Sequence, residues 1–173
     1  MNISEQKLIS NIEECNKHLA RMLNAFNKMS EFIPLNLDYY TNISEDSIEH
    51  IDQFLFRFSL LQDSMGEKLF RNLITSIGED SRSLTFIDIL NRLEALGLLK
   101  KDVWMDLRDL RNLATHEYPD TEEIIIGTLN KLFKNTELIY SIFIRTKDFI
   151  FMRVLKNHDQ NKYLTIPFPK DCK

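Results

Sequence analysis

Residues 7–29, K-L-I-S-N-I-E-E-C-N-K-H-L-A-R-M-L-N-A-F-N-K-M, place Leu8, Ile12, Cys15, Leu19, Met22, Phe26 and Met29 at alternating steps of four and three. An α-helix brings such positions onto one face, because its turn of about 3.6 residues lies between the two steps. The spacing predicts a first helix over about residues 4–30 with Ser4 as its N-cap. A two-in-seven stripe suits packing along partner helices, in the same chain or in a second copy.

The period recurs beyond this segment. Residues 31–44 lose it and contain Pro34, so they read as a connection. Ser44 or Ser47 then starts a long second helix whose buried stripe runs through Ile48, Ile51, Leu55, Phe58, Met65, Leu69, Leu73 and Ile77, with Gly78 as its stop. Gly66 lies inside that pattern, where glycine is costly, which points to close helix packing or a slight kink. Ser83 is read as the cap of a short third helix closed by Gly97. A fourth helix runs from about Lys101 to Glu117 and stops before Pro119. A fifth begins at Asp120 or Thr121 and extends to about Asn157. The expectation is an all-α antiparallel bundle of about five helices, with helices 1, 2 and 5 long and the third short. Residues 1–157 form one domain, and residues 158–173 form a tail across the bundle.

Composition agrees. The chain has 173 residues, 43% hydrophobic and 28% charged, with only four glycines and four prolines, which argues against a turn-rich β-sandwich or barrel. A net charge of −4 excludes a broadly basic protein that coats nucleic acid, though not a local basic site. Cys15 and Cys172 give neither metal spacing nor a disulfide framework, and no apolar run approaches membrane-spanning length. With no basic-then-apolar layout at the N-terminus, the expected setting is soluble and cytoplasmic, away from the membrane.

The end of the fourth helix, W-M-D-L-R-D-L-R-N-L-A-T-H-E-Y-P, carries the chemistry. With Arg111 at zero on a helical wheel, Val103, Leu107, Leu110 and Ala114 cluster between about 260° and 320°, the presumed core face. Arg111, Thr115, Arg108, Asn112 and His116 spread from 0° to about 140° as one polar sector turned away from it. Two guanidinium groups, a carboxamide and an imidazole suit phosphodiester chemistry. Arginine presents a permanent charged fork to phosphate oxygens, and histidine exchanges a proton near neutral pH. With a ribose 2′-hydroxyl as nucleophile, no metal is required. Arg111 and His116 lie about 140° apart on an ideal helix. Either the last turn unwinds before Pro119, or a second copy completes the site. The plainer reading is that Arg and His near a helix C-terminus favour its dipole.

Arg111-Asn112-Leu113-Ala114-Thr115-His116-Glu117-Tyr118 resembles the signature of HEPN-domain proteins, an Arg, a polar residue and a His after four to six intervening residues. The Tyr two positions after His is similar to that of HepT toxins, which pair with MNT-type minimal nucleotidyltransferases. The order of short helix, Gly stop and motif helix resembles theirs over about residues 45–145. The resemblance implies a homodimer with its motif helices facing, and a metal-independent endoribonuclease toxin of a type VII-like toxin–antitoxin system, without a cofactor, cutting an RNA such as tRNA or mRNA. Arg111 would stabilise the transition state, His116 would act as general acid or base, and Asn112 would orient the motif. Arg108 and Thr115 would support the cleft. Tyr118 would be the hydroxyl that the nucleotidyltransferase antitoxin modifies with AMP, adding negative charge at the RNA cleft. The alternative is a non-catalytic helical subunit that binds a minimal nucleotidyltransferase.

Among other candidates, His18, His50 and His158 read as solvated. Asp102, Asp106 and Asp109 read as solvent-facing partners for Lys and Arg. His116-Glu117 lacks the second His of a zinc-protease helix.

Overall fold

The computed structural model describes residues 2–115 and 121–169, and every regular element among them is helical. Helix α1 spans Ile3–Met29. Its cap is Asn2 and not Ser4: the Glu5 N–H donates to Asn2 Oδ1 at 2.8 Å, and the Asn2 N–H donates to the Glu5 carboxylate at 3.0 Å. Ser4 has Lys7 three residues on and cannot form that reciprocal box. All seven seam residues of α1 are buried within this single chain, together with Ile9, Leu23 and Ala25, so the stripe is wider than two in seven and serves the monomer core.

The connection after α1 holds a short helix, α2 (Leu37–Thr41), that periodicity did not reveal. Asn130 fixes the approach to it: the Leu35 N–H donates to Asn130 Oδ1 at 2.8 Å, and Asn130 Nδ2 donates to the Leu35 carbonyl at 2.9 Å. Ser44 caps α3 (Glu45–Asp63), which runs through a π-helical turn (Ser64–Leu69) directly into α4 (Phe70–Ser76). Before the π turn the stripe is wider than the spacing predicts, with Phe54 and Leu61 also buried; after the turn, which holds Gly66 and shifts the phase, Phe70 and Ile74 are buried while Ile77 is 37% exposed. Gly78, at φ 99°, ends the unit in the left-handed region open to glycine.

Contacts between α1 and the α3–π–α4 unit run in opposite sequence directions. Phe26 lies near Phe54, His18 near Arg57, Glu14 near Ser64 and Lys68, and Asn11 near Asn72. The two are therefore antiparallel. The short third helix of the sequence, α5 (Phe86–Ala95), is capped by Thr85 and not Ser83, because Thr85 and Asp88 form the reciprocal box. It is followed by α6 (Lys101–Thr115).

The expected single fifth helix is two: α7 (Glu122–Lys134), capped by Thr121, and α8 (Thr136–Arg153). Asn135 separates them as the C-terminal cap of α7, its backbone N–H and its Nδ2 both donating to the Lys131 carbonyl, at 3.0 and 2.9 Å. Beyond a 3-10 turn at Gln160–Tyr163, residues 163–168 lie against α1 and α8. Lys147 Nζ donates to the Tyr163 carbonyl and to Thr165 Oγ1, which in turn donates to Asn16 Oδ1. Phe168 packs 5.3 Å from the Phe26 ring. Among the described residues, no helix is long and apolar enough to cross a membrane.

Candidate functional site

Helix α6 crosses the α3–π–α4 unit with Trp104 against Phe70 and Arg111 against Asp63, and this positions the candidate residues. Trp104 and Leu107 are the buried residues of α6, while Val103, Leu110 and Ala114 are only partly covered. Trp104 falls at about 20° on the wheel, so the buried face extends past the predicted core into the sector assigned to solvent. Arg111, beside it, is consequently not turned outward. Its side chain is 13% exposed, and Nη1 donates to Asp63 Oδ1 at 3.1 Å.

The other sector residues have different surroundings. Arg108 is exposed, with its guanidinium carbon 5.8 Å from the centre of the Phe86 ring, a cation–π contact and not a pairing with the Asp residues of its own helix. Asn112 is half-buried. Thr115 turns its hydroxyl back to donate to the Arg111 carbonyl at 2.9 Å. His116 and Tyr118 lie outside the described residues.

Arg108 and Arg111 share a cleft of about 250 Å³ between α6, the π turn and the start of α5. Gln62, Asp63, Gly66, Phe86 and Trp104 line it with them. A Cβ built on Gly66 would meet the Phe86 ring at 3.4 Å and Trp104 Cζ2 at 3.6 Å, so glycine allows these rings to approach the helix backbone. π-helical turns widen a helix locally and recur at functional sites. Arg71, also in the wall, is held by donating to the Ser81 carbonyl at 3.1 Å and the Leu84 carbonyl at 3.4 Å.

The wall also holds buried polar atoms without hydrogen-bond partners: Gln62 Oε1 and Nε2, Trp104 Nε1 and Arg111 Nε. Each unpaired buried group costs about 1–3 kcal/mol. Four of the six such side-chain atoms among the described residues belong to this one wall. Sequence reasoning found Arg108 and Arg111, and singled out Gly66 as a place of close packing. It missed Gln62, Asp63, Phe86 and Trp104, which reach the cleft only through tertiary packing.

The histidines read as solvated are contacts instead. His18 Nδ1 lies 3.2 Å from Arg57 Nη1 and its Nε2 lies 3.8 Å from Glu14, with burial and the Arg57 charge holding the imidazole below its ordinary pKa. Glu14 is held below the usual carboxylate range first by its hydrogen bond from Lys68, at 2.8 Å. His50 lies 3.4 Å from Asp46, and His158 lies 3.9 Å from Glu5. Burial pushes the Cys15 thiol up, so it is inert packing. Comparison with protein-family models, with curated proteins and with solved structures gave no match to this chain.

Proposed function

We propose that the protein is a metal-independent endoribonuclease that cuts RNA by attack of a ribose 2′-hydroxyl, with Arg111 stabilising the phosphorane-like transition state and His116 transferring the proton. The observation that carries this reading is the cleft itself: Arg111 and Arg108 line one open concavity at the end of α6, in the turns leading to His116 in the sequence. The resemblance of residues 111–118 to the HEPN signature supports it. Asp63 holds the Arg111 fork by one nitrogen, while Nε carries no partner. In the proposed enzyme two copies face each other, and the Tyr118 hydroxyl is the point at which a nucleotidyltransferase antitoxin blocks the cleft with AMP.

The test is cleavage of labelled total RNA by the purified protein in excess chelator, with product ends analysed. Chelator-resistant cutting that leaves cyclic phosphate ends is expected. An inert dimer, with AMP on Tyr118 excluded by mass, would overturn the reading. A second reading, a non-catalytic subunit that binds a minimal nucleotidyltransferase, is favoured by the Asp63 carboxylate at 3.1 Å, which offsets part of the charge a phosphate would meet at Arg111.

A further inference from the structure

The cleft beside Arg111 holds more than an enzyme needs to grip a phosphate. Gln62, 2% exposed, contributes an unpartnered acceptor and an unpartnered donor to the same wall, and Trp104 Nε1 and Arg111 Nε add two unpartnered donors. All four atoms are buried and lack a partner within the protein. Phosphate or carboxylate offers acceptors only and leaves Gln62 Oε1 unpaired. A nucleobase edge offers both, and glutamine amides read such edges by paired hydrogen bonds. Phe86, partly exposed, supplies a ring face of the kind on which bases stack, and Gly66 keeps the floor between it and the buried Trp104 free of a side chain. Arg108 and Arg111, on the same wall, are placed for the attached phosphate.

From these features we infer that the cleft is a nucleotide pocket, in which Gln62 and Trp104 take the base and the two arginines take its phosphate. This deepens the nuclease reading, on which it rests for RNA as the source of the nucleotide: one base of the substrate is held beside the scissile phosphate, and cutting is selective at that position. Taking a base requires the Gln62 amide to turn from its buried position toward the opening, where its donor and acceptor can both be paired.

The protein has a single tryptophan, Trp104, so its emission reports on this wall alone. The experiment titrates AMP, GMP, CMP and UMP to low-millimolar concentration, with ribose 5-phosphate and inorganic phosphate as base-free controls. It uses calorimetry and Trp104 fluorescence on wild type and on Gln62→Met. The expected result is saturable binding of at least one nucleotide with a change in emission, about tenfold tighter than ribose 5-phosphate, the contrast that roughly one net hydrogen bond supplies. Gln62→Met should weaken that binding by about tenfold while raising the unfolding midpoint, because an apolar side chain of similar length removes two unpaired atoms. A glutamine that merely props the helix would not give loss of binding together with gain of stability.

Absence of calorimetric binding for all four nucleotides overturns the inference. Binding of ribose 5-phosphate as tight as that of the nucleotides, or unchanged binding in Gln62→Met, also overturns it. The outcome is separable from the nuclease reading. Nucleotide binding without RNA cleavage sinks the nuclease and leaves the pocket, whereas cleavage without nucleotide binding sinks the pocket and leaves the nuclease.

Discussion

Replacing Gly66 by alanine tests the packing that creates the cleft. The position is buried inside the π turn, and its backbone has no positive φ that would exclude a side chain. Removing the extra unfolded-state freedom of glycine in a helix favours the folded protein by about 1 kcal/mol. The new methyl would sit 3.4 Å from Phe86 Cε2 and Cζ and 3.6 Å from Trp104 Cζ2, at the close edge of ordinary contact. Its burial contributes up to about 0.8 kcal/mol. Phe86 is only partly buried at the start of α5, so its ring can yield by a few tenths of an ångström and absorb the crowding. The net expectation is a stabilisation of about 1 kcal/mol, a rise of roughly 2–4 °C in Tm for a chain of this size. Thermal and urea unfolding followed by far-UV circular dichroism give the number. The same methyl narrows the cleft between the two rings, so nucleotide binding should weaken as stability rises. A loss of more than about 1 kcal/mol would refute the reasoning, since it would mean that Phe86 and Trp104 are clamped too rigidly on Gly66 to admit a methyl.

Other elements of the account can be checked in the same way. Phe54 is fully buried among Phe26, Phe58 and Phe133, so Phe54→Ala should cost about 3–5 kcal/mol in urea unfolding, and a loss below 1 kcal/mol would deny that this cluster is the core. His18 has its folded pKa below 6.5, so the unfolded chain binds the extra proton first; the His18 contribution is complete above that pH and is lost as pH falls through the folded pKa. Glu14, held below 4.5, adds a loss of the same sign at lower pH. Unfolding of His18→Gln at stepped pH should therefore show a smaller stability loss on the upper limb, and a curve matching wild type would contradict this. Lys147→Ala removes the ammonium that donates to the Tyr163 carbonyl and to Thr165, so limited proteolysis should release the tail faster with α1–α8 left folded; equal rates would show that the Asn16 and Tyr140 hydrogen bonds and Phe168 packing suffice to hold it.

The parts of the fold legible in the sequence were those written in apolar spacing: the α1 seam, the long second helix, and the glycine stops at Gly78 and Gly97. The misplaced features follow local hydrogen-bond chemistry. Asn2 and Thr85 cap their helices in place of Ser4 and Ser83 because each has an acidic partner three residues on, a signal the sequence carries. The break at Asn135 comes from a side chain bonding its own backbone inside a strongly apolar stretch, which periodicity does not register. At the site, a wheel built on aliphatic positions placed Arg111 toward solvent. Including Trp104 would have rotated the buried face and drawn Arg111 beneath α3. Asp63 and Gln62 lie beyond the reach of periodicity, since they meet α6 only across a helix crossing; Asp63 is 48 residues from Arg111 in sequence.

The most direct test of the central claim is the single-turnover rate at which the protein cuts its preferred RNA in excess chelator, compared among wild type, Arg111→Ala and His116→Ala, all confirmed folded by circular dichroism. The account predicts that wild type cuts and that each substitution lowers the rate by about a hundredfold or more, the scale of a lost general acid–base or charge-stabilising group. Cleavage at the wild-type rate by either variant would contradict it.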